Sequence, residues 1–164
     1  MHPPSGPAWL VWLETTRVAA AMREWLWLYP AVEIVHILGF VLLVGAAFLF
    51  DLRLLGLSRQ LPVSGMAVHL LRWARLSLVL VVPSGLLMFA AHATEMADNP
   101  AFQLKLVFIG AAGLNAAIFH RIPFRSVGDW DTEMASPFLA RGAAVVSLVS
   151  WTGAITCGRL LAYL

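Results

Sequence analysis

Residues 30–48 read PAVEIVHILGFVLLVGAAF. Apart from Glu33 and His36 the stretch is apolar, and it continues to Phe50, which meets the roughly 20 residues needed to cross the hydrocarbon core of a bilayer. Two ionisable groups one helical turn apart inside such a run are costly to keep, and that cost makes them the first candidates for function.

The rest of the chain follows the same rule. Of its 164 residues, 60% are hydrophobic and 12% charged, with a mean hydropathy of +0.81, outside the range of a soluble domain. Backbone polar groups in hydrocarbon must be satisfied within each span, which leaves helices or a closed barrel, and long apolar runs exclude the barrel. Four runs qualify: 31–50; 73–93, with a kink expected at Pro83; 101–119, with Lys105 near its start and Asn115 inside; and 138–163, with Arg159 near its end. Short connections predict an all-α, up-and-down four-helix bundle in one membrane domain over residues 30–164.

Residues 1–29 precede it. The segment PAWLVWLETTRVAAAMREWLWLY lacks the basic start and unbroken apolar core of a signal peptide, because Glu14, Arg17, Arg23 and Glu24 interrupt it. Trp9, Trp12, Trp25 and Trp27 suit the headgroup boundary and predict an amphipathic helix lying in the interface.

Orientation follows from the short loops, since arginine and lysine are retained on the cytoplasmic side. The first connection carries Arg53, Arg59, Arg72 and Arg75, and the third carries Arg121, Arg125 and Arg141, whereas the second has one lysine against Glu95 and Asp98. Both termini are therefore expected on the periplasmic side of a bacterial inner membrane. On this topology His36 and His92 belong to an outer level, and His69 and His120 to an inner one.

Histidines at matched depth on neighbouring helices suggest ligands, and bis-histidine haem b is the chemistry that most often uses them in a helical bundle. Gly39 near His36, Gly85 and Met88 on the face of His92, and Gly110, Gly113 and Ala117 leading to His120 would leave room for a macrocycle. Lys105, the only lysine, and Arg159 stand at the outer level where propionates would emerge, and Glu33 could fix an imidazole through its N–H. One haem is expected at His36 and His92. A second, at His69 and His120, is the weaker expectation: His69 and His92 are 23 residues apart, about 34 Å along a helix, so His69 would stand in the headgroup layer and about 140° around from His92.

The same residues have plainer readings. Histidines are ordinary at a membrane interface, small residues let helices pack closely with nothing between them, and Lys105 and Arg159 can snorkel to headgroups or pair with Glu33.

The stretches YPAVEIVHILGFVLLVGAAFLFDLRLLG (29–56), QLKLVFIGAAGLNAAIFH (103–120) and SLVSWTGAITCGRLLAY (147–163) resemble a family of small uncharacterised bacterial four-helix membrane proteins, over most of the chain from Tyr29 to Tyr163. That family is loosely similar to the membrane domain of copper resistance protein D and, in its helix-borne histidines, to di-haem b-type cytochromes. The resemblance implies a four-helix bundle with haem or copper chemistry near the outer face and names no substrate.

Three functions from different classes remain. The leading one is an electron carrier, a b-type cytochrome passing electrons between the quinone pool and a periplasmic redox protein. The second is copper handling by His36 and His92 with Met88, Met96 or Cys157, since imidazole and thioether suit copper. The third is a cofactor-free helper subunit that packs against copies of itself or a larger membrane complex. No P-loop, G-x-S-x-G elbow or H-E-x-x-H helix supports hydrolysis or group transfer, and the lone cysteine, Cys157, permits no internal disulfide. Nucleic-acid binding has no support, because the net charge of +2 is explained by topology.

Overall fold

The computed structural model describes residues 6–161 and residue 163; positions 1–5 of the N-terminal segment and residue 162 of the expected last span lie outside the described residues. Two short helices come first, α1 (Ala8–Glu14) and α2 (Arg17–Glu24), followed by the long α3 (Leu28–Leu55) and α4 (Val63–Ala91). A short α5 (Ala93–Asp98) turns the chain into α6 (Pro100–Arg121), and a 3-10 stretch over Pro123–Asp129 precedes α7 (Phe138–Leu160). Helices α3, α4, α6 and α7 are each long and apolar enough to cross a membrane, which makes this a multi-pass membrane protein.

Helices α3 and α6 overrun their apolar runs at both ends and α4 at its start, whereas α7 ends at Leu160, short of the expected 163. Helix α3 has 28 residues, about 42 Å at 1.5 Å each, so its ends project beyond the hydrocarbon. Helix α4 begins at Val63, ten residues before the apolar run at 73, because its start is fixed by chemistry that hydropathy does not register. Pro62 holds the extended geometry before the first turn, and Asp131 caps that turn from another part of the chain. Its carboxylate accepts from the Ser64 N–H at 2.7 Å and the Ser64 hydroxyl at 2.8 Å, and its carbonyl accepts from the Val63 N–H at 3.1 Å.

Arg53, fully buried, holds the same end together. Its guanidinium donates to the carbonyl oxygens of Leu61, Arg59 and Asp131 at 2.7, 3.0 and 3.0 Å, tying the α3–α4 turn to the loop before α7. Gly56 ends α3 with φ +112°, a left-handed cap that only glycine adopts without strain, and the Leu57 N–H returns to the Leu52 carbonyl. Phe50, Leu54, Val63, Ala67, Phe119, Trp130, Ala140 and Ala144 form the core beneath.

Glycines set the helix pairing. A Cβ on Gly39 would stand 2.9 Å from Leu80 and Val81, so α3 and α4 touch closely there; one on Gly153 would stand 2.6 Å from the Phe108 ring, which lies flush against α7. Asn115, polar in mid-span, is satisfied by donating to the Ala143 carbonyl of α7 at 2.9 Å. Helix α3 packs on both α4 and α7, and α6 on α7, yet no Cα of α4 comes within 8 Å of one of α6. The two backbones stay apart along that side, bridged near α5 by the stacked rings of Phe89 and Phe102 at 5.4 Å.

The N-terminal helices close over one end. Arg23 donates to the Ala91 carbonyl at 2.8 Å, and Glu14 accepts from the Thr94 N–H and hydroxyl at 2.7 and 2.8 Å, so two of the charges that interrupt the Trp-rich segment latch it onto the corner between α4 and α5. The four tryptophans remain exposed.

Candidate functional site

Among the described residues, His36 is the histidine docked between spans, its ring against α4. Pro83 deprives α4 of a backbone donor, and the turn around it presents polar groups to α3. The Nδ1 of His36 lies 3.1 Å from the Val81 carbonyl oxygen and 3.0 Å from the Ser84 hydroxyl. A carbonyl can only accept, and the single hydroxyl hydrogen of Ser84 is directed at the Leu80 carbonyl, so Nδ1 carries the ring proton. In the neutral ring Nε2 is then bare, without a hydrogen-bond partner among the described residues. Gly85 accommodates the imidazole itself, since a Cβ there would stand 3.0 Å from Cε1.

The neighbours are aromatic and cationic. The His36 ring stacks on Phe40 at 6.5 Å between centroids, and Phe40 meets Trp151 of α7 edge-on at 6.1 Å. Lys105, half-buried on α6, and Glu33 are both within electrostatic reach of the imidazole. Lys105 lies across α7, its Nζ 3.6 Å from where a Gly158 Cβ would stand.

The other residues singled out in the sequence do not converge on His36. His92 sits at the corner where α4 ends, its ring edge-on to Tyr29 at 6.0 Å and its Nδ1 3.9 Å from Glu95. Tyr29 precedes His36 by seven residues, so His36 lies about 10 Å deeper than His92 and the expected shared level is absent. The two rings have separate partners in this structure, His36 on Val81 and Ser84 and His92 beside Tyr29 and Glu95. The room expected at Gly39 is filled by α4 and that at Gly85 by His36. Glu33 is exposed and does not bond His36; Val81 and Ser84 take that orienting role. Arg159 is exposed and donates to the Tyr163 hydroxyl at 2.6 Å.

The inner pair is also apart. His69 is exposed, whereas His120, its Nδ1 3.0 Å from the Ala116 carbonyl, lines a cavity of about 430 Å³ enclosed by α3, α4, α6 and α7. Gly113, Ala116 and Ala117 line it too, so the small-residue face of α6 does border open space. Asp51, which ends the first apolar run, faces this cavity; it is 5% exposed and its Oδ2 has no hydrogen-bond partner. Neither Asp51 nor Ser84 stands out in the sequence: Asp51 reads as the first loop residue, and Ser84 as one small residue between Pro83 and Gly85. Among the described residues no three His, Cys, Asp or Glu side chains gather as a metal cluster.

A family of unknown function, DUF6644, matches residues 9–164. The chain belongs to the DUF6644 family. The match takes in both latching helices and all four spans, so the DUF6644 unit includes the N-terminal cap as well as the bundle. No curated protein and no solved structure matches the chain.

Proposed function

We propose that this protein is a b-type haem-binding electron carrier of the bacterial inner membrane, an up-and-down bundle with both termini periplasmic and His36 as the protein ligand. The observation that supports it is the bare Nε2 of His36: an imidazole whose Nδ1–H is held by a carbonyl and a hydroxyl has the tautomer and fixed orientation of a metal ligand. Haem, when bound, supplies a one-electron iron couple. Lys105 is the cation close enough to offset a propionate, while Ser84 and Val81 keep the ring aimed. His92 stands too near the surface to share an iron with His36 as the α4–α5 corner is placed. A quinone and a periplasmic redox protein are the partners on this reading.

A pyridine haemochrome assay with metal analysis, on protein purified from haem-replete cells, tests it. Haem that is lost in His36→Ala supports the carrier. A low-spin spectrum that turns high-spin in His92→Ala would show the corner closing to bring in a second ligand, and a spectrum indifferent to His92 would leave His36 as sole ligand. Copper without haem replaces this reading with metal handling, and neither with a helper subunit.

A further inference from the structure

We infer that the cavity between α4 and α6 is a binding site for a lipid-soluble quinone, its head group hydrogen-bonded to Asp51. Three observations converge. First, the α4 and α6 backbones stay apart, and the stack of Phe89 on Phe102 that bridges them lies towards α5, away from the 71–78 stretch that borders the cavity; that stretch faces the acyl chains, the phase in which such a molecule is dissolved. Second, its volume, about 430 Å³, is in the range of small-molecule sites, and Ala74, Ala112, Gly113, Ala116 and Ala143 line it among larger apolar side chains, leaving a slot that suits a flat ring.

Third, the polar lining converges from several helices. Asp51 is buried with Oδ2 unpartnered, and Ser147 of α7, Asn115 and His120 of α6 and Arg75 of α4 border the same space. Asn115 is already committed to the Ala143 carbonyl and Arg75 to that of Leu71. An unpaired carboxyl oxygen among apolar walls is unfavourable, and a ligand that hydrogen-bonds it removes the penalty. Quinone chemistry matches, because the reduced head donates O–H to a carboxylate and the oxidised head accepts from a carboxylic acid. Trp151 also lines the slot and meets Phe40 edge-on, and Phe40 in turn stacks on His36. The site needs no haem, so it stands or falls separately from the reading of His36.

The test is titration of the protein in nanodiscs with decylubiquinone, following quenching of tryptophan fluorescence, with haem content measured on the same sample. The wild type is expected to quench saturably. Asp51→Leu keeps the shape and removes the acceptor, and should weaken binding about tenfold or more. Gly113→Phe introduces a ring at a position that lines the slot and where an added Cβ meets nothing within 4 Å, and should abolish saturable quenching even if Asp51→Leu does not fold. Linear, non-saturating quenching of the wild type, or wild-type affinity in either folded variant, overturns the inference. Haem lost in His120→Ala would put a macrocycle in the slot and overturn it equally.

Discussion

The guanidinium of Arg23 donates to the carbonyl oxygen of Ala91 at 2.8 Å, joining α2 to the last turn of α4 across 68 residues of sequence. That carbonyl is one of the groups a helix end leaves without an internal partner, so the contact caps α4 from outside. Arg23→Ala should loosen α1 and α2 and cost about 1 kcal/mol, as Arg23 is exposed. Hydrogen–deuterium exchange should rise over residues 8–24 and 89–94 while α6 and α7 stay unchanged.

Gly153→Ala forces a Cβ to 2.6 Å from Phe108, and overpacking of this kind costs roughly 1–3 kcal/mol. The melting temperature in detergent should fall, and Phe108→Ala in the same chain should relieve part of the loss. Gly110→Ala, whose Cβ would meet nothing within 4 Å, should melt like the wild type.

Asp131 gives the fold an acid sensitivity. The Ser64 N–H above all, then the Ser64 hydroxyl, the Val63 N–H and the Arg53 charge, hold its carboxyl below the ordinary 3.8, against a smaller opposing effect of burial. A carboxyl depressed in the folded state stabilises fully above its unfolded value and loses that contribution as pH falls through the folded one. Thermal stability should therefore decline below about pH 4, and Asp131→Ala, which removes the α4 cap at a cost of about 1 kcal/mol, should flatten the decline.

Ser84→Ala leaves Val81 as the sole partner of His36 Nδ1. On the haem reading, retention should weaken by about 10–100-fold, as when groups that orient a ligand are removed, with the protein still inserted. Lys105→Gln should shift the midpoint potential without loss of insertion. Unchanged retention in Ser84→Ala would detach the Val81–Ser84 cradle from cofactor binding.

Topology is checked by fusion to the C-terminus. A periplasm-active reporter should be active there and a cytoplasm-only reporter silent; the reverse would move both termini inside.

The four spans were legible because lipid imposes length and apolarity on every one of them. Their ends were not, since α4 starts where Asp131, remote in sequence, caps it. His36 was legible as an ionisable residue in a long apolar run. Its partners were not, because a carbonyl at Val81 leaves no trace in composition and Ser84 looks like any small residue. Asp51 escaped by a single position: an apolar run ending at Phe50 hands the next residue to a loop, although the helix continues to Leu55. Matching His36 with His92 by distance from the run ends failed for a related reason, as α3 begins at Leu28, with Tyr29 rather than His36 level with the corner at His92.

The gap between α4 and α6 also bears on assembly. Helices α3 and α4 make one hairpin and α6 and α7 another, joined by the six residues of α5 and sealed to each other chiefly where α3 meets α7. Each hairpin can enter the bilayer as a unit, and the two then dock as preformed pieces. Co-expressing 1–98 and 99–164 as separate polypeptides should reconstitute the protein, and a bulky residue at Ala144 should leave both halves inserted but undocked.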